Sequence, residues 1–275
     1  MEGTGESATE FMNIIETASD SLDSSVIFHI VTDILGFVLY MHQQIPSVLQ
    51  DISLEFDEMQ NEYKDLDMVV SQAEMKPSLR RKHFSRRREV KQGIKRLEKL
   101  MTTIADFRIA LQLLITEVPH IDRLILVLGP SPLRPLHLYE LCFSRGRIVS
   151  AEFSRTKVAD ALSRKAIRTL ISRGAGSNGN SYAGPSKLFL LVQAPSSLNM
   201  PLHFLPKRDF RYNKKIVPYK LRFKSRSEHV ELNARADGPH TASSMLTEPI
   251  SDNNIWFQCR HIVKGLTSKA LSTEE

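Results

Sequence analysis

Cysteine and tryptophan are the scarcest side chains in this 275-residue chain, with two cysteines (Cys142 and Cys259) and one tryptophan (Trp256). Two thiols are too few for a disulfide framework or a zinc finger, and they point to a reducing compartment, cytosol or nucleus. No run of about 18 apolar residues marks a membrane span. The opening MEGTGESATE is acidic and lacks the charged-then-apolar order of a secretory signal. Catalytic signatures are missing as well: there is no G-x-x-x-x-G-K-[ST], no G-x-S-x-G and no H-E-x-x-H. The nine histidines are scattered singly, without metal-ligand spacing. No enzyme chemistry, metal or cofactor is expected.

One glycine motif needs a decision. Residues 174–179 read GAGSNG and satisfy the dinucleotide fingerprint G-x-G-x-x-G. A working fingerprint follows a strand and opens a helix, so that phosphates meet a helix N-terminus. Here a helical pattern precedes the glycines and a strand pattern follows, which is the reverse order. Gly174 is expected to stop the helix in a left-handed conformation.

Charge is distributed unevenly. The chain carries a net +6, yet Lys76–Lys99 holds eleven Lys or Arg against two Glu. One segment therefore carries all the basicity. Three readings of Arg80–Arg88, RRKHFSRRR, stay open: a solvated loop over 76–88, a nuclear-import signal, and a nucleic-acid contact. The import reading uses Arg80, Arg81 and Lys82, then Arg86, Arg87 and Arg88. Against nucleic acid as a partner, only Phe84 interleaves an aromatic and no groove-reading motif is present.

Along the chain, residues 1–20 are polar and acidic and are expected to be disordered, ahead of one domain over 21–270. Asp23 or Ser24 can cap a helix in which Val26, Ile27, Ile30, Ile34, Phe37, Val38 and Met41 recur every three or four residues. A weaker helical pattern runs over 47–70, and a long amphipathic one over 88–116. Strands are expected at 122–129, 136–144, 147–154, 186–194, 219–225 and 254–263, with 136–144 and 147–154 pairing as a hairpin. A helix over 156–173 interrupts them, and 226–252 reads as a flexible loop. Helices followed by a largely hairpin-connected sheet predict an α+β fold, with the helices on one face of an antiparallel sheet.

The 156–173 helix carries more apolar residues than one sheet needs. Val158, Ala161, Leu162, Ala166 and Leu170 form a stripe, while Ile167 and Ile171 fall on another side, ringed by Arg164, Lys165 and Arg168. They are either exposed apolar residues of no consequence or a docking patch.

Four stretches taken together resemble the Comet family: FVLYMHQQIP (37–46), RLILVLGPSPLRPLHLYEL (123–141), HFLPKRDFRY (203–212) and NIWFQCRHIVKG (254–265). Comet proteins bind the spindle-checkpoint protein Mad-two (mitotic-arrest-deficient two). The resemblance implies a HORMA-like fold and a non-enzymatic adaptor. Such an adaptor docks on the closed conformer of Mad-two and presents it to a hexameric AAA+ ATPase of the Pch-two type, which takes apart the inhibitory checkpoint complex. Meiotic chromosome-axis HORMA proteins are the alternative clients, and nucleic-acid binding by the basic block is an alternative of another class. Nucleus and cytoplasm, with kinetochore or spindle during mitosis, are the implied locations. By the same resemblance, Met41, Gln44, Arg164, Ile167, Arg168 and Ile171 face the client, and Phe204, Pro206 and Lys207 face the ATPase. Ile255, Trp256 and Phe257 form a tail packed on the protein's own core.

Overall fold

Helix α1 (Ser24–Met41) begins where Asp23 accepts a hydrogen bond from the Val26 amide at 2.9 Å, satisfying one of the donors a helix start leaves unpaired. Ile30, Val31, Ile34, Leu35, Val38 and Leu39 are fully buried along it. Each contributes about 1.5–3 kcal/mol relative to exposure. By length and composition α1 could cross a bilayer. Here its apolar side chains are taken up by the rest of the fold, against helices α3 (Pro77–Glu117) and α4 (Arg155–Ser172).

The computed structural model describes residues 13–16, 22–71, 76–118, 121, 123–143, 155–175, 184–213, 216–224 and 253–266. The elements are β1 (Asn13–Glu16), α1, α2 (Ile52–Ser71), α3, β2 (Arg123–Gly129), β3 (His137–Phe143), α4, β4 (Lys187–Pro195), β5 (Phe204–Pro206), β6 (Tyr219–Lys224), β7 (Asn254–Cys259) and β8 (Val263–Lys264). The expected strand at 147–154 and the loop at 226–252 lie outside the described residues.

The class is α+β, and the eight-stranded sheet runs β1-β6-β3-β2-β4-β7-β5, with β8 also on β4. The sheet is mixed rather than antiparallel, because β6 lies parallel to both β3 and β1. β3 already has β2 on one edge and β6 on the other. The hairpin expected between 136–144 and 147–154 therefore has no free edge along Tyr139–Phe143. A strand within residues 1–20 was not expected either; Ile15 of β1 is 1% exposed and belongs to the core.

Alternation along the strands makes two apolar layers. Leu124, Leu126 and Leu128 of β2, with Tyr139 and Leu141 of β3, face the helices. Ile125, Val127, Leu138, Phe189 and Leu191 point to the opposite face, which Phe210, Tyr212, Ile216 and Trp256 cover. Trp256 meets Phe210 edge-on at 5.6 Å, while Phe257 and Ile255 join the helix-side core. The residues expected to form the C-terminal tail thus clamp both layers.

The basic segment is not a loop. Helix α3 starts at Pro77 and continues unbroken for 41 residues. Proline at the first helical position sets the backbone angle there. Acidic α2 then supplies what propensity alone did not reveal. Arg86 meets Glu62 at 2.7 Å, Arg87 meets Asp67 at 2.6 Å, and Arg87 also lies over the Tyr63 ring. Arg86 and Arg87 are therefore engaged with α2.

Candidate functional site

A groove of about 650 Å³ lies between α1 and α4 and is lined by two of the expected client-facing residues, Arg164 and Ile167. Its apolar lining comprises Phe28 and Phe37 of α1, Leu49 and Ile167, with Tyr40 at one end. Polar and charged groups rim it: His29 lies 3.9 Å from Asp160, Arg164 lies 3.9 Å from the same carboxylate, and Arg108 sits over the Phe28 ring. An apolar centre inside a polar rim is the anatomy of a protein-binding patch.

Two hydroxyls sharpen the picture. Thr32 Oγ1 and Ser163 Oγ both line the groove, are buried, and have no hydrogen-bond partner. Ser163 as a residue is 2% exposed. A buried hydroxyl left unpaired costs about 1–3 kcal/mol, and both oxygens are closed to solvent.

The register of α4 explains how Ile167 reaches this place. The buried stripe is Ala159, Leu162, Ser163, Ala166 and Leu170. Ala161, expected in the stripe, is exposed, which rotates the stripe toward α1. Ile167 consequently sits about a quarter turn from its centre, at the α1 margin, and is half-buried. Ile171 is 52% exposed, and Arg164 and Arg168 are exposed beside it. Met41 is half-buried at the end of α1 and is not part of the groove lining.

Gln44 does not belong on this surface. It is 3% exposed, and its side chain is committed to the chain's own backbone. Its Nε2 donates to the His42 carbonyl at 2.7 Å, and its Oε1 accepts from the Ser186 amide at 2.6 Å. The Leu266 amide donates to the Gln44 carbonyl at 2.7 Å. Gly265 lies so close that a Cβ there would collide with Oε1 of Gln44. Gln44 ties the end of α1 to the start of β4 and to Gly265 and Leu266, just after β8. The preceding turn holds Gln43 at φ 52°, in the left-handed position that usually takes glycine.

The second expected surface divides in the same way. Phe204 is 2% exposed and anchors β5 in the core, so it faces no partner. Pro206 and Lys207 are exposed, and Leu205 between them and Phe204 is 45% exposed. β5 is the outermost strand at its edge of the sheet, whereas α4 packs beside β1 at the other. The Lys207 amide donates to the Trp256 carbonyl at 2.6 Å, which fixes the turn carrying both residues. Proline at this outermost strand removes a donor that an incoming strand would need.

Gly174 (φ 76°) closes α4 through hydrogen bonds from the Gly174 and Ala175 amides to the Ile171 and Leu170 carbonyls, and beyond Ala175 GAGSNG lies outside the described residues. Among the described residues no group of three or more His, Cys, Asp or Glu is placed to hold a metal ion. Two histidine pairs nonetheless form that sequence spacing did not suggest. His42 and His137 stack at 4.0 Å, and His42 Nε2 is 2.6 Å from the Tyr139 hydroxyl. Burial, reinforced by His137, lowers the His42 pKa to about 4. Burial alone lowers that of His137. His203 and His261 lie 3.0 Å apart through ring nitrogens.

Comparison with known proteins adds no name: no family model matches the chain, and no curated protein matches it.

Proposed function

We propose that this chain is a HORMA-like, Comet-type adaptor without catalytic activity of its own. In this reading it grips the closed conformer of a Mad-two-type protein and delivers it to a Pch-two-type AAA+ ATPase. The observation that carries the reading is the α1–α4 groove, in which half-buried Ile167 stands beside aromatic side chains and two unpaired buried hydroxyls. A partner helix laid there would bury Ile167 and, at one end of the groove, Tyr40. Tyr40 of α1, 46% exposed, takes the place of Gln44 in the contact. Aromatic side chains of this kind supply much of the energy at interfaces. Pro206 and Lys207, held rigidly near the opposite edge of the sheet, would meet the ATPase while the client occupies the groove. Fixing that turn in advance lowers the entropy lost on binding.

The test is a pull-down of purified protein with closed Mad-two and the Pch-two ATPase at physiological salt. It includes Ile167→Asp and the double variant Pro206→Ala/Lys207→Ala. The expected result is that Ile167→Asp loses the client alone and the double variant loses the ATPase alone. Absence of both partners from the wild-type pull-down overturns the adaptor role.

A further inference from the structure

We infer that the outward face of the N-terminal half of α3 is a ridge that binds the phosphate backbone of nucleic acid without regard to base sequence. This inference is independent of the adaptor reading.

At 100° per residue, Arg81, Arg88, Lys91, Lys95 and Lys99 fall within about 80° of arc on α3. They lie opposite Val90 and Leu97, the first side chains that α3 buries. From Arg81 to Lys99 the line is about 27 Å long at 1.5 Å per residue. All five are exposed, and among the described residues none has an acidic partner. The contrast with Arg86 and Arg87 is direct, since those two face α2 and are neutralised by Glu62 and Asp67.

Local stability does not account for such an arrangement. The helix has no acidic residue in its first turn, and its N-cap, Lys76, makes no side-chain capping bond. Arg80, in the first turn, opposes the helix dipole there. Lys91, Lys95 and Lys99 follow one another at i,i+4, a spacing at which like charges are destabilising. A local rule broken repeatedly along one face, with no compensating contact among the described residues, points to a compensating ligand. The geometry selects a linear polyanion. The ridge is long, narrow and regular, and no apolar side chain larger than Phe84 is available to wedge into a bilayer. Phe84 is itself under the Arg80 guanidinium. A 27 Å length of duplex presents about sixteen phosphates, ample for five cations.

The test is fluorescence anisotropy of the full chain with a labelled 24-base-pair mixed-sequence DNA duplex and an RNA duplex of equal length, over a salt series. Full engagement gives a slope of log affinity against log salt near −4.5 on DNA, from about 0.9 per phosphate contact. Arg88→Gln/Lys95→Gln should lower that slope by about 2 and weaken binding about fifty-fold at 0.1 M salt. Arg134→Gln/Lys187→Gln, which removes the same charge from exposed positions elsewhere, should leave both close to wild type. Circular dichroism checks that each variant is folded. Binding of either duplex with ridge-specific loss supports the inference. It is overturned if neither duplex binds at low salt, or if the control variant weakens binding as much as the ridge variant. Displacement of the duplex by polyglutamate at equal charge, or ridge-dependent binding to phosphatidylserine vesicles without duplex binding, also overturns it.

Discussion

The two halves of α3 are one rod under two regimes. From Val90 onward its side chains enter the core, and Phe107, Ala110, Leu111 and Leu114 are fully buried. Over 77–89 no side chain is buried, and the helix is held to α2 by Arg86–Glu62, Arg87–Asp67 and the Tyr63 ring. The first half is stabilised by charge pairing that salt screens, and the second by apolar burial that salt leaves intact. Placing both in one helix gives the molecule a firm body and an arm whose outer face remains available for contact.

The sharpest way to break the comparison is Phe107→Ala. A fully buried phenylalanine cut to alanine should cost about 3–5 kcal/mol of unfolding free energy, read from urea denaturation. Next in size is Gln44→Leu, which leaves the half-buried Ser186 amide without its acceptor. A loss of about 2 kcal/mol is expected, with faster hydrogen exchange in residues 186–192 and 263–266 and no change in 77–89.

Acid should act on the body as well. Because the His42 pKa falls to about 4 in the fold while the unfolded chain titrates near 6.5, the unfolded state binds more protons between those values. Stability is thus fully present above about pH 6.5 and declines as the pH drops toward 4. His137, shifted in the same direction, adds to the decline. Thermal melts at pH 7.5 and 5.0 should show it, and His42→Asn should flatten it. The smallest effect belongs to the arm. Glu62→Gln/Asp67→Asn removes two exposed pairs worth about 0–1 kcal/mol each. Its expected signature is faster exchange of amides 77–89, matched by wild type in 1 M salt, with little change in the global melt.

Much of this architecture was legible in the sequence because burial leaves a period. The α1 boundaries, the second half of α3, α4, and strands β2, β4 and β6 follow from apolar spacing and from Asp23 and Gly174. What was not legible depends on partners distant in sequence. The first half of α3 has a polar pattern and becomes a helix through the acids of α2. The short strands β1 and β5 have too few residues for a period and exist by pairing with β6 and β7. The parallel placement of β6 follows no local turn signal. The candidate site was half visible. Ile167 stood out on α4, but the matching face of α1, with Phe28 and Tyr40, was hidden because α1 is apolar nearly all round. Gln44 illustrates the reverse: a polar side chain in a matched stretch, expected at the surface, is buried because it satisfies backbone groups more than 140 residues away.

The most direct measurement of the central claim is hydrogen exchange of the full chain with and without closed Mad-two. Burial of the α1–α4 groove by a partner predicts added protection in residues 28–40 and 160–171, with 77–89 and 204–207 unchanged. A complex that leaves 28–40 and 160–171 at their free rates would contradict the account.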